Sequence, residues 1–394
     1  MTDLMRSNIF KLYLIRFFFW MNFFSAVIVP FYHQWGGLKL SQILFLNAWF
    51  MFCIFLFEIP TGTLADYLGR KASLITGSLV AVLSVWIYTR EPNFYLFMMA
   101  EMVFAAAYTF HSGADEALAY DTLLSCHEEG KAKVVIARME SFKLAGIMAG
   151  ALLGGWIAKH WGVVAPMKAY ALPLAVSFLA SLALKEPDLH KNLQTKSSFF
   201  VIFKEGKDFF IHHKILWILT LDSVFSHALS WVLIWLYQPL LEKAGISIVF
   251  FGFVHTGMCL GQIFLLHNIK RWESLLGSKK RLLWLTGLGT GIAFIVLAFA
   301  KAPWFVILGI ILAGSCGLAR TPIYSASMNT YIPSAQRATV LSMISMLRTL
   351  TIVIVNPFVG FIADVSLSKT MLMLGAALLG LTVFSRVEER HLKG

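Results

Sequence analysis

The sequence predicts an all-α polytopic membrane protein of twelve transmembrane helices, on three observations. Of its 394 residues, 58% are hydrophobic and 14% charged, against roughly 45–50% and 25% in soluble domains. The mean hydropathy is +0.73 over the whole length, so every polar stretch is a short connector and no water-soluble domain is left over. The apolar runs are continuous, as helices crossing a core of about 30 Å require, and lack the two-residue alternation of barrel strands.

Twelve segments reach the length of a span: about 10–32, 41–65, 71–89, 94–120, 134–158, 166–184, 214–240, 246–267, 281–300, 303–328, 337–362 and 368–385. Arg6 and Lys11 flank the start of the first, but Arg16 interrupts it and no small-residue cleavage site follows, so it reads as a span and not as a signal peptide. The tails and the loops after spans two, four, six, eight and ten hold 21 Lys and Arg, against seven in the opposite loops. That bias orients both termini to the cytoplasm. The net charge of +12 thus reads as membrane topology, and nucleic acid is not an expected partner. Cys53, Cys126, Cys259 and Cys316 are scattered without CxxC spacing, so neither a disulfide framework nor a metal cluster is expected.

The longest connector, residues 185–213, divides the chain into an N-terminal six-helix half (1–184) and a C-terminal six-helix half (214–394). Lys185, Lys191, Lys196, Lys204 and Lys207 make it basic, and Phe199, Phe203, Phe209 and Phe210 fall near helical spacing, which predicts a helix lying on the inner membrane surface. The halves show a trace of repetition: GALLGGWIA at 150–158 aligns with NPFVGFIAD at 356–364, and Gly69-Arg70-Lys71 with Gly277-Ser278-Lys279-Lys280. Pseudo-symmetry of this kind marks duplicated transporters.

Between spans two and three stands GTLADYLGRK, residues 62–71. Here the chain resembles the major facilitator superfamily, whose signature in that loop is G-x-L-a-D-r-x-G-r-K, and with twelve spans and a long central loop the resemblance covers the whole chain. Gly62 would let two helices approach, Gly69 would turn the chain, and Asp66 would face the positive N-terminal end of a helix. The resemblance implies that this helix is span eleven, entered through PSAQRAT at 333–339 (near Ser334 to Ala338), and that Arg70 reaches Asp121 at the end of span four. Gly62, Asp66, Gly69, Arg70, Lys71 and Asp121 would then lock the cytoplasmic side shut. Two departures weaken a drug-antiporter reading. Span four has EMVFAAA from Glu101 where many such exporters carry R-x-x-q-G, and span five keeps the glycines of G-P-x-x-G-G without its proline. The run SGADEALAYD at 112–121 resembles a bacterial subgroup of the superfamily, which implies a bacterial cytoplasmic membrane.

A charge at a span centre costs about 2.5–3.5 kcal/mol on insertion scales, so each needs a partner or a wet cavity. Hairpin arithmetic sets Arg16 at the depth of Glu58, and Arg138 level with Asp115 and Glu116. In the family, spans one, four, seven and ten line the cavity, which makes Arg16, Glu101, Asp115, Glu116, Asp222, His227 and Arg320 candidates to touch water or substrate. Arg320 and Asp115 are expected to pair across the halves when the protein faces outward. Glu101, with no cation at its level, is the first choice as proton carrier, and Asp222 with His227 the second. Glu58 and His255 read as helix-packing groups, and Trp20, Trp231, Trp235 and Tyr324 lie on cavity spans. No i, i+4 ligand pair or acidic cage suggests a metal, and no cofactor is expected. There is no Ser/His/Asp spacing and no G-x-x-x-x-G-K loop, so an enzyme is not expected.

The resulting expectation is a monomeric secondary transporter working by alternating access. It would export small amphiphilic or drug-like compounds in exchange for protons. The alternative is proton-coupled import of a polar or anionic nutrient (an organic acid, amino acid or siderophore), favoured by Arg16, Arg320 and Arg348 in the spans.

Overall fold

A computed structural model describes residues 3–187, 207–333 and 336–393, apart from the side chains of residues 3–5, 66, 338 and 393. Every regular element within them is a helix. Among the described residues ten helices are long and apolar enough to cross a membrane, and Leu367–Val383 is a shorter apolar one. The remaining expected span, the first, is a helix that breaks. Two compact units divide the chain: Met1–Lys191 with Ser247–Thr256, and Asn192–Ile246 with Gly257–Gly394.

In the first unit, span one starts earlier than expected, at Asp3, and its helix stops at Phe19. A non-helical stretch follows before Ile28–Pro30 and the wide turn Phe31–Trp35. The continuous apolar run of 10–32 gave no sign of this interruption, which tertiary contacts support. Tyr170 donates its hydroxyl to Phe19 O at 2.5 Å, satisfying a carbonyl freed where the helix ends. Gly146, Gly150 and Gly154 of span five lie against this same stretch. A Cβ built on them would stand 2.3 Å from Phe17 O, 2.9 Å from Asn22 N and 1.7 Å from Phe23 O. The spacing is four residues, one helix face, so the small-residue ridge admits an irregular backbone that larger side chains would exclude.

Span two is Leu40–Leu68 and span three Arg70–Tyr88, separated by the single residue Gly69 at φ +98°. Span four is split: Phe94–His111 is capped by Asn93, whose side chain accepts from Tyr95 N and Leu96 N, and Ala114–Leu124 resumes after Gly113 at φ +77°. Span five is Ala132–Trp161 and the helix Ala171–Leu182 ends span six. Ile9, Leu12, Ile15, Leu74, Leu118 and Met139 form one buried cluster holding spans one, three, four and five together.

In the second unit, span seven is Lys214–Trp231 continued by Leu233–Lys243. Span eight is Val249–His267, whose residues as far as Thr256 belong to the first unit, and the short helix Ile269–Leu276, not anticipated from the sequence, leads to span nine, Lys279–Phe299. Spans ten to twelve are Pro303–Asn329, Arg337–Val365 and Leu367–Val383. The expected surface helix around Phe199 and Phe203 lies outside the described residues. Phe210, assigned to it from the sequence, is instead buried, 4.9 Å from the Trp217 ring and within the core of the second unit.

Candidate functional site

Among the described residues, each unit holds one buried ion pair between its first and fourth spans. In the N-terminal half the break at Gly113 places Asp115 and Glu116 in the first turn of Ala114–Leu124, where the helix dipole favours acids. Arg16, in the last turn of its helix, meets them. Its Nη2 donates to Asp115 Oδ1 at 3.0 Å and Glu116 Oε1 at 2.8 Å, and its Nε stands beside the other Asp115 oxygen. Its Nη1 reaches Glu140 Oε2 at 3.4 Å, while Lys143 Nζ bonds Glu140 Oε1 at 2.9 Å. Asp115 is buried, whereas Glu116 and Glu140 are 45% and 48% exposed.

The hairpin arithmetic did not name these partners. Arg16 binds Asp115, Glu116 and Glu140 rather than Glu58, which is exposed on span two. Arg138 lines a cleft with Arg6, Phe10 and Tyr13 rather than joining Asp115. Residue sums fix depth alone, and a helix turns its side chains by about 100° per residue, so azimuth decides the partner. Trp20 and Tyr108 stand edge to face at 5.6 Å and Lys143 Nζ lies 4.7 Å from the Trp20 ring, an aromatic wall beside the acids.

Glu101, on span four, is 6% exposed. Tyr32 donates its hydroxyl to Glu101 Oε1 at 2.5 Å, and Tyr88 also hydrogen-bonds this carboxyl. Among the described residues no ion pair to it is formed. Both tyrosines escaped the sequence reading, since neither is close to Glu101 in the chain.

In the C-terminal half the ion pair has the opposite polarity. Asp222 on span seven accepts from Arg320 Nη2 of span ten at 3.3 Å. Tyr324, one turn on, donates its hydroxyl to the same Asp222 oxygen, and Ser385 donates to the other at 2.5 Å. Arg320 is 3% exposed and Asp222 9%. Gly287 leaves room for the guanidinium, for a Cβ there would lie 2.0 Å from Arg320 Nη1. Arg320 and Asp115 thus each find a partner inside their own half. Asp222 does not pair with His227: the imidazole Nδ1 is 2.9 Å from Thr321 Oγ1 and the ring stacks on Trp231 at 5.6 Å. Arg348 on span eleven, half-buried, forms no ion pair among the described residues and keeps a buried Nε without a hydrogen-bond partner.

The loop motif is built on an acid that the sequence reading missed. Gly69 makes the turn, as expected, and the backbone N–H groups of Arg70 and Lys71 donate to the Glu186 carboxylate at 2.9 and 2.8 Å. The other half repeats this: Lys279 N and Lys280 N donate to Glu389 at 3.3 and 2.8 Å. In both, an acid just past the sixth span of the half neutralises the positive N-terminus of its third. Gly62 meets no atom of its own unit within 4 Å of a built Cβ, so the close approach expected there is absent within that half. The Asp66 side chain, Ser334 and the Ala338 side chain lie outside the described residues; Asp121 is half-buried on Ala114–Leu124. No group of three or more His, Cys, Asp or Glu among the described residues is placed to hold a metal.

The sequence profile described as Major Facilitator Superfamily matches residues 9–237 and 223–393. The chain belongs to the major facilitator superfamily. No curated protein sequence matches it. Among solved structures, the nucleoside transporter NupG superposes with a TM-score of 0.80 at 13% identity, covering 97% of this chain and 98% of the other. The D-xylose-proton symporter gives 0.75 at 12%, covering 98% of each chain. A bacterial homolog to the human lysosomal transporter Spinster, inward-facing and unoccupied, gives 0.74 at 15%, covering 100% and 97%. At these identities the likeness is one of fold. The chain is a multi-pass membrane transporter of the superfamily.

Proposed function

We propose that this transporter is driven by protons and works by alternating access, with Glu101 as the group that takes up and releases the proton. The buried Glu101 carboxyl, bonded by Tyr32 and without a cation among the described residues, carries this reading. A carboxyl held by hydroxyls in a dry bundle can exist protonated or ionised, whereas an arginine partner would fix it as the anion. The halves 1–184 and 214–394, joined by 185–213, are the moving bodies, set in a bacterial inner membrane with both termini cytoplasmic and acting as a monomer. Gly62, Asp66, Gly69, Arg70, Lys71 and Asp121 form the cytoplasmic lock, and Glu186 belongs with them.

The first reading of the cargo is an amphiphilic compound moving outward. The half-exposed Glu116 and Glu140 beside Trp20 and Tyr108 offer a cationic, flat solute both charge and ring contact. A second reading, import of an anionic nutrient, is favoured by Arg348, which has no ion pair among the described residues and whose charge acts on the polar His227, itself bonded to Thr321. The two separate in proteoliposomes offered lipophilic cations and small organic acids. Uptake of cations lost in Glu116→Gln with Glu140→Gln and retained in Arg348→Ala supports export of amphiphiles; the converse pattern replaces it with anion import.

A further inference from the structure

The C-terminal half carries a cleft that the transport reading leaves unused. It measures about 150 Å³ and lies among the start of span nine, the inner part of span ten and the end of span twelve, with Lys280, Trp284, Arg320, Tyr324, Thr382 and Ser385 in its wall. Its charge is positive. Of the acids nearby, Asp222 is taken by Arg320, Tyr324 and Ser385, and Glu389 by the backbone of Lys279 and Lys280. The Lys280 ammonium has no acid within ion-pair distance among the described residues.

Arg320 has hydrogen-bond donors to spare. Only its Nη2 is bonded; Nε and Nη1 are buried without a hydrogen-bond partner in a side chain 3% exposed. Buried donors left unmade cost about 1–3 kcal/mol each, and more on a charged group. Such donors are satisfied by an acceptor, and an anionic one suits both cations.

The rim says where that acceptor comes from. Trp284 is 44% exposed and Val383 59%. On membrane spans such large apolar side chains face acyl chains rather than water, and tryptophan settles at headgroup level. Lys280 opens span nine at the end of the bundle that the Lys and Arg bias assigns to the cytoplasm, where basic pockets between spans hold anionic headgroups.

We propose that this cleft is a phospholipid site, in which the phosphate of an anionic lipid is held by Lys280 and Arg320 while its chains lie along Trp284 and Val383. The phosphate completes the Arg320 hydrogen bonding and shares that guanidinium with Asp222, so lipid occupancy tunes the span seven to span ten contact. The proposal does not depend on which solute is carried or on proton coupling.

The test is native mass spectrometry of the full chain in detergent with phosphatidylglycerol, phosphatidylcholine or inorganic phosphate, in wild type, Lys280→Ala and Lys280→Arg. The site predicts at least tenfold tighter binding of phosphatidylglycerol than of phosphatidylcholine, a comparable loss in Lys280→Ala, and retention in Lys280→Arg. Equal binding of the two lipids to the wild type, which needs no variant, overturns it. So does full phosphatidylglycerol binding by Lys280→Ala. Inorganic phosphate competing as well as the lipid would make the site one for a soluble anion and would equally overturn the lipid assignment.

Discussion

The two halves of this transporter use one framework with the signs exchanged. In the N-terminal half the first span gives the cation, Arg16, and the fourth the acid, Asp115; in the C-terminal half the first gives the acid, Asp222, and the fourth the cation, Arg320. The surroundings differ too. Arg16 has three carboxylates, two of them half-exposed, whereas Arg320 has one carboxylate sealed by Tyr324 and Ser385. Setting aside the exposed Glu58 and Arg138, each half also leaves a more buried membrane charge without an ionic partner among the described residues: Glu101 in the first, Arg348 in the second. A duplicated scaffold has kept the geometry of its ion pair while leaving the two halves with different residual charges, a carboxyl in one and a guanidinium in the other.

The comparison can be broken most forcefully at Asp222. Asp222→Ala strands a buried guanidinium with two hydroxyls, and the loss is expected at about 3–5 kcal/mol. Asp115→Ala leaves Arg16 with Glu116 and Glu140, so its loss should be about half as large. Thermal unfolding of both variants in detergent reads the difference, and equal shifts would mean that the exposed acids contribute nothing to holding Arg16.

A double variant sharpens the same point. Asp222→Ala combined with Arg320→Ala removes both charges and should recover most of the stability lost by Asp222→Ala alone, because the penalty is the unpaired charge and not the missing attraction. An additive double loss would contradict that.

The acid caps should behave alike where the ion pairs do not. Glu186→Ala and Glu389→Ala each remove a carboxylate from a helix N-terminus, worth about 1 kcal/mol. Matched decreases in melting temperature would confirm that the halves share this device. Smallest of all is Glu140→Gln, expected within about 1 kcal/mol because the group is half-exposed; a larger drop would show that Glu140 is essential to the cluster.

Much of this was legible in the chain. Long apolar runs place helices almost unaided, since lipid leaves the backbone no other choice. The Gly69 turn was legible because few residues other than glycine adopt φ +98°. The break in span one was not: it depends on Tyr170 and on Gly154, about 130 residues and more away, though the ridge of Gly146, Gly150 and Gly154 was visible as a repeat of four. Pairing was the least accessible. Arg16 and Asp115 were both singled out, but joining them required the azimuth of two helices and the kink at Gly113. Tyr324 sits four residues from Arg320, a spacing that could have suggested their contact. Nothing local points from Ser385 to Asp222, or from Tyr32 to Glu101.

Proton movement through Glu101 is the central claim, and proton flux into proteoliposomes on addition of a transported solute tests it most directly. Wild type should acidify or alkalinise the lumen with the solute, Glu101→Gln should bind solute yet move no protons, and Tyr32→Phe should fall between them. Solute-driven proton flux that persists undiminished in Glu101→Gln would contradict the account and pass the role to another carboxyl.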